Sequence, residues 1–163
     1  MWHPMVAIFT SVTGLFRKRS LDARTHDSNP SIALLGLVDE EQDRAILAKV
    51  CDENNWELIL TGRQEEARQA LDRLHPQIIL FDQDLAGDNW RELMNWFAAS
   101  AGRACIMLIS KVPDDRLWSD VVCHGGYEVL GKPLREYEVS RAIRLARSYW
   151  TSANKWAAGS ARI

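Results

Sequence analysis

The sequence has little of what marks several large protein classes. Its three cysteines, Cys51, Cys105 and Cys123, are an odd number without zinc-type spacing, which excludes a disulfide framework and reads as three reduced, buried thiols. Cys123-His124 has no second ligand pair to complete a metal site. Lys and Arg number 20 against 22 acids, and no basic run is longer than Arg17-Lys18-Arg19. That balance leaves no footprint for direct nucleic-acid binding. The longest mostly apolar stretch, Met5 to Phe16, is too short to span a bilayer. Its basic residues follow the apolar part, the reverse of a secretory signal peptide. Internal repeats and low-complexity blocks are also lacking.

What is present is ordinary for a soluble globular protein: 47% hydrophobic and 26% charged residues. A chain of this size buries about 68–70% of the surface its unfolded form exposes, enough for a core without metals or disulfides. We expect an N-terminal extension and linker over 1–30, one domain over 31–150 and a tail over 151–163, in a cytoplasmic protein. Met5, Ile8, Phe9, Val12, Leu15 and Phe16 have the spacing of one helical face. Membrane contact by residues 1–30 is a weaker reading than an extension that frays or docks on the domain. Ser28-Asn29-Pro30 closes a polar linker.

From Ser31 a regular alternation begins. Ile32 to Val38 has the character of a buried strand and runs into Asp39-Glu40-Glu41; a helix over about 42–52 carries Ile46, Leu47, Val50 and Cys51. Trp56 to Leu60 is the next strand, and a helix over about 64–74 follows with Ala67, Ala70, Leu71 and Leu74. His75-Pro76 stops it, because proline disfavours the helical conformation of the residue before it. Gln77 to Asp82 is an apolar run that ends in a carboxylate, followed by a loop with Ala86-Gly87-Asp88. A helix over about 89–100 buries Leu93, Trp96 and Phe97, and Cys105 to Ile109 is a strand ending at Ser110. Asp114 caps a helix with Leu117, Trp118, Val121 and Val122 on its apolar face. Tyr127 to Leu130 leads into Gly131-Lys132-Pro133. The last helix, over about 135–150, puts Val139, Ala142, Ile143, Ala146 and Tyr149 on one side. Of the remaining tryptophans, Trp90, Trp150 and Trp156 are the ones open to exposure, with a core position the default. Five strand-helix units with short connections predict an α/β fold, a doubly wound parallel sheet with helices on both faces.

Polar residues end four of the apolar runs: Asp39 with Glu40, Asp82, Ser110 and Lys132. In an open parallel sheet these ends share the edge where ligands bind. Adjacent carboxylates stay ionised together only with a cation among them, and Mg2+ takes oxygen ligands. Phosphoryl transfer uses such parts, since it depends on positioning and on charge stabilisation of the phosphoryl oxygens. A carboxylate is itself a competent nucleophile.

These segments, Val38-Asp39-Glu40-Glu41, Ile79-Leu80-Phe81-Asp82, Ile109-Ser110 and Gly131-Lys132-Pro133, resemble those of the receiver domain of bacterial response regulators. The resemblance covers residues 31 to about 148 and implies the flavodoxin-like sheet order 2-1-3-4-5. It implies that Asp82 accepts a phosphoryl group from a histidine kinase or phosphotransfer protein of a phosphorelay, in a signalling domain and not a turnover enzyme; the short stretch after Trp150, without room for a DNA-binding output domain, leads us to expect a stand-alone one. Mg2+ is then held by Asp39, with or without Glu40, by Asp82 and by the backbone carbonyl of Asp84. Ser110 and Lys132 hold the phosphoryl oxygens, and a downstream protein target reads the change. Homodimer formation is left open.

The sequence also departs from the family. Aligning on Arg44 makes Asp39 the second of the two usual acids and leaves Val38 in place of the first; aligning on strand length makes Asp39 and Glu40 the pair. Lys111 follows Ser110 where a small residue is usual. Ala86 replaces a proline, Trp90 stands where glycine is common, and Val129 holds the position of the aromatic switch residue. These changes motivate an alternative, a degenerate pseudo-receiver that binds proteins without phosphorylation. A third reading, a small phosphatase using Asp82 and Asp84 around Mg2+, ranks last.

Overall fold

The computed structural model describes residues 31–160, with side chains as far as residue 153. The expectations for residues 1–30 and for Trp156 therefore lie outside what it describes. Five strands, β1 (Ala33–Leu37), β2 (Glu57–Thr61), β3 (Ile78–Asp82), β4 (Cys105–Ser110) and β5 (Glu128–Gly131), form one sheet in the order β2-β1-β3-β4-β5. All four pairings are parallel. The helices are α1 (Glu41–Glu53), α2 (Gln64–Leu74), the single turn α3 (Gln83–Ala86), α4 (Trp90–Ser100), α5 (Asp115–Cys123) and α6 (Glu136–Ser160). This is the doubly wound sheet expected from the alternation. α6 runs on through residues 151–160, so that part of the expected tail continues the last helix.

Successive side chains of a strand point to opposite faces, so parity sorts the core into two. Leu34, Val38, Ile78, Leu80, Met107 and Ile109 face one way, against Leu47 and Val50 of α1 and Val139 and Ile143 of α6. Leu35, Leu37, Ile79, Phe81, Ile106 and Leu108 face the other, against α2, α4 and Val121 of α5. Both sides of β1, β3 and β4 are thus buried, which is why those strands read as unbroken apolar runs.

Several expectations need correction. Leu117 and Val121 lie four residues apart on one face of α5, and only Val121 is fully buried. Trp118 and Val122, about 100° further round the helix, are exposed. Cys123, at the end of the same helix, is exposed as well, so two of the three thiols are buried and not all three. Trp90, by contrast, takes the default core position, with its ring edge-on to His124 at 6.0 Å. Tyr149 is exposed beside Tyr127, where the helix stripe suggested burial. The segment expected as a loop after Asp82 is α3 and a 3-10 turn, Gly87–Asn89, begun by the Asp82 side chain accepting from Asp84 N–H.

Candidate functional site

Asp82 is the last residue of β3 and has the parity of Ile78 and Leu80, so its side chain turns to the α1 and α6 face. It is 3% exposed. Its Oδ1 accepts from Asp84 N–H at 2.9 Å, and its Oδ2 accepts from Lys132 Nζ. Lys132 follows β5, whose Gly131 is level with Ser110, and its N–H donates to Ser110 O at 2.9 Å. The ammonium also reaches Glu40 Oε2 at 3.1 Å and Asp43 Oδ2 at 3.7 Å. Burial opposes the charge of Lys132, but the hydrogen bonds with Asp82 and Glu40 outweigh it and raise its pKa above the ordinary lysine value.

Asp43 is the residue that sequence reasoning missed. It is 1% exposed in the first turn of α1, on the face that also buries Leu47, Val50 and Cys51. Its Oδ1 accepts from Leu134 N–H at 3.0 Å, whereas its Oδ2 has no hydrogen-bond partner. The signal was available: an acid four residues before Leu47 lies on the buried stripe and needs a partner inside the domain.

The other acids disperse. Asp39 is exposed, and its Oδ1 fills the space where a Cβ on Gly62 would stand, 2.8 Å away. Gly62 thus leaves room for Asp39 beside the end of β2, away from Asp82. Asp84 is exposed and pairs with Lys111 at 2.7 Å. That hydrogen bond holds its carboxyl below the usual carboxylate range. Ser110 is buried and its Oγ accepts from Val112 N–H at 3.1 Å. The structure therefore brings Asp82, Lys132 and Glu40 together, adds Asp43, and leaves Asp39 and the Asp84 side chain apart from them. Among the described residues, no three His, Cys, Asp or Glu side chains form a group arranged to hold a metal.

A cleft of about 670 Å3 opens at the same edge, lined in part by Gln83, Asp84, Asp88, Arg91, Ser110 and Lys111. Within it Arg91 Nε donates to Asp120 Oδ2 at 2.9 Å, which ties α4 to α5.

No protein-family model matches the sequence, and no curated protein matches it either. Solved structures do match its fold. A response regulator from Thermotoga maritima superimposes with a TM-score of 0.68 over 73% of this chain and 99% of that one, at 14% identity. The signal receiver domain of an HD domain-containing protein from Pseudomonas fluorescens Pf-5 gives 0.67 over 76% and 99%, at 18% identity. NtrX from Brucella abortus gives 0.70 at 16% identity; the match covers 78% of this chain and only 29% of NtrX. The fold is that of a response-regulator receiver domain.

Within the receiver fold, strand register bears on the first acid. Leu37 of β1 is level with Phe81 of β3, so Val38 is the residue beside Asp82. Arg44 Nη1 donates to Val38 O at 2.7 Å. Among the described residues no helix is long and apolar enough to cross a membrane.

Proposed function

We propose that the chain is a signalling receiver of a phosphorelay that accepts a phosphoryl group on Asp82. The observation that carries this reading is the ion pair of Asp82 Oδ2 with Lys132 Nζ, both side chains under a tenth exposed, at the carboxyl edge of the sheet. A carboxylate oxygen of Asp82 attacks phosphorus as the bond to the donor's leaving group breaks, giving an acyl phosphate. Lys132 holds positive charge against the phosphoryl oxygens, and the Ser110 hydroxyl donates a hydrogen bond to one of them. The donor is a histidine kinase or a phosphotransfer protein, and the output is altered contact with a protein target. The role is that of a phospho-acceptor in the cytoplasm, not of a turnover enzyme.

Two buried carboxylates and Glu40 surround one ammonium, and Asp43 Oδ2 lacks a hydrogen bond. This surplus of hard, anionic oxygen suits Mg2+. Glu40 and Asp82, with Asp84 through its backbone carbonyl, would hold it, Asp39 would join them on leaving its place beside Gly62, and the ion would supply further positive charge to the phosphoryl oxygens.

The test is incubation with acetyl phosphate and Mg2+ followed by intact mass measurement. One phosphoryl group on the wild type and none on Asp82→Asn is expected; no addition, or equal addition on both, overturns the reading. The second reading, a pseudo-receiver that binds proteins without phosphorylation, draws support from the Lys111–Asp84 pair beside the acceptor and predicts no addition.

A further inference from the structure

We propose that Asp43 is a positioning residue for Lys132. From beneath the edge its carboxylate holds the ammonium that Asp82 meets from the strand side. The proposal deepens the phospho-acceptor reading by one residue and rests on it for its kinetic consequence, though its thermodynamic test does not need that reading.

Three facts lead to it. Asp43 is 1% exposed, and a buried carboxylate without compensation is strongly disfavoured. One oxygen is satisfied by Leu134 N–H at 3.0 Å, and the other, without a hydrogen bond, lies 3.7 Å from Lys132 Nζ. The same side chain thus grips both ends of the Lys132-Pro133-Leu134 turn, the backbone through Oδ1 and the ammonium through Oδ2. Parity adds the reason for this arrangement. Asp82 and α1 lie on the same face of the sheet, so an acid on the buried stripe of α1 sits behind the lysine that Asp82 engages.

A merely structural Asp43, there to accept from Leu134, predicts different behaviour. Asp43→Asn keeps an acceptor for that N–H and the shape of the side chain, and replaces the anionic Oδ2 facing the ammonium by a neutral NH2 donor. If Asp43 acts on the ammonium, the effect of Asp43→Asn on stability depends on whether Lys132 is present, and more so once Asp82 no longer competes.

The experiment is a double-mutant cycle of Asp43→Asn and Lys132→Met by urea denaturation, in the wild-type and Asp82→Asn backgrounds. We expect coupling of about tenfold or more in the folding constant, within the range for residues in contact, and larger coupling in the Asp82→Asn background. Coupling near unity in both backgrounds overturns the proposal. If Lys132→Met does not fold, the phosphorylation rate of Asp43→Asn decides. A rate lowered about tenfold with acetyl phosphate half-saturation unchanged supports the positioning role, and a wild-type rate overturns it. Failure of the wild type to take up phosphate would overturn the phospho-acceptor reading and leave the cycle to decide on Asp43.

Discussion

Lys111 Nζ lies 2.7 Å from Asp84 Oδ2, joining the segment after β4 to the turn after β3 beside Asp82. The hydrogen bond to Lys111 lowers the Asp84 pKa, and the hydrogen bond to Asp84 raises that of Lys111. Because the folded-state value of Asp84 is depressed, the pair contributes above the ordinary carboxylate range and its contribution is lost as pH falls through that depressed value. Both side chains are half exposed or more, so the stabilisation is small. Lys111→Ala is expected to leave the urea midpoint unchanged within error and to return the Asp84 carboxyl to ordinary titration by 13C NMR. An unmoved Asp84 titration would contradict the pairing.

Among the described residues, Lys132 is the only cation paired with the buried Asp82 and Asp43 carboxylates. Removing one partner of a buried ionic group leaves the others uncompensated, at a cost of about 3–5 kcal/mol. Lys132→Met is expected to lose stability in that range by urea denaturation, and to lose less in an Asp82→Asn background, where one anion fewer is left unpaired. The raised pKa of Lys132 means its contribution is complete below 10.5 and lost as pH rises through the folded value. The loss on substitution is therefore the same at pH 7 and pH 9.

The thiols separate by burial. Burial pushes Cys51 up to about 12 and Cys105 up to about 11, from an ordinary 9.0, while Cys123 is exposed. Iodoacetamide at pH 8.5 should label Cys123 rapidly in the native protein and all three thiols in denaturant, as counted by mass. The unfolded chain ionises Cys51 and Cys105 before the folded one, so stability falls as pH rises above 9.0. Cys51→Ala should flatten that alkaline decline. Rapid native labelling of Cys51 would show that the α1 packing is wrong.

Mg2+ is expected to bind the wild type with a measurable calorimetric signal, and Asp39→Asn to bind it about tenfold or more weakly. Asp39 is the acid common to both alignments of the first acid pair, and to reach the ion its side chain has to leave Gly62. Unchanged affinity in Asp39→Asn would remove it from the ligand set.

The sheet was legible in the sequence because β1, β3 and β4 are buried on both faces and read as unbroken apolar runs, each closed by a polar residue. Asp82 and Lys132 could be placed at one edge for the same reason. The fate of Asp39 was not legible. It depends on the direction taken by the first side chains beyond β1 and on the space Gly62 leaves, neither of which spacing along the chain records. Asp43 was overlooked because its charge hid its place on the helical stripe with Leu47. Trp118 and Val122 were misjudged because α5 has only nine residues, and its narrow contact with the core fully buries Val121 alone, with Leu117 partly covered beside it.

The most direct test of the account is to locate the phosphoryl group chemically. After treatment with acetyl phosphate, borohydride reduction converts an acyl-phosphate aspartate to homoserine, which peptide mass spectrometry then locates. The account predicts homoserine at position 82 and nowhere else; homoserine at another acid, or none, would contradict it.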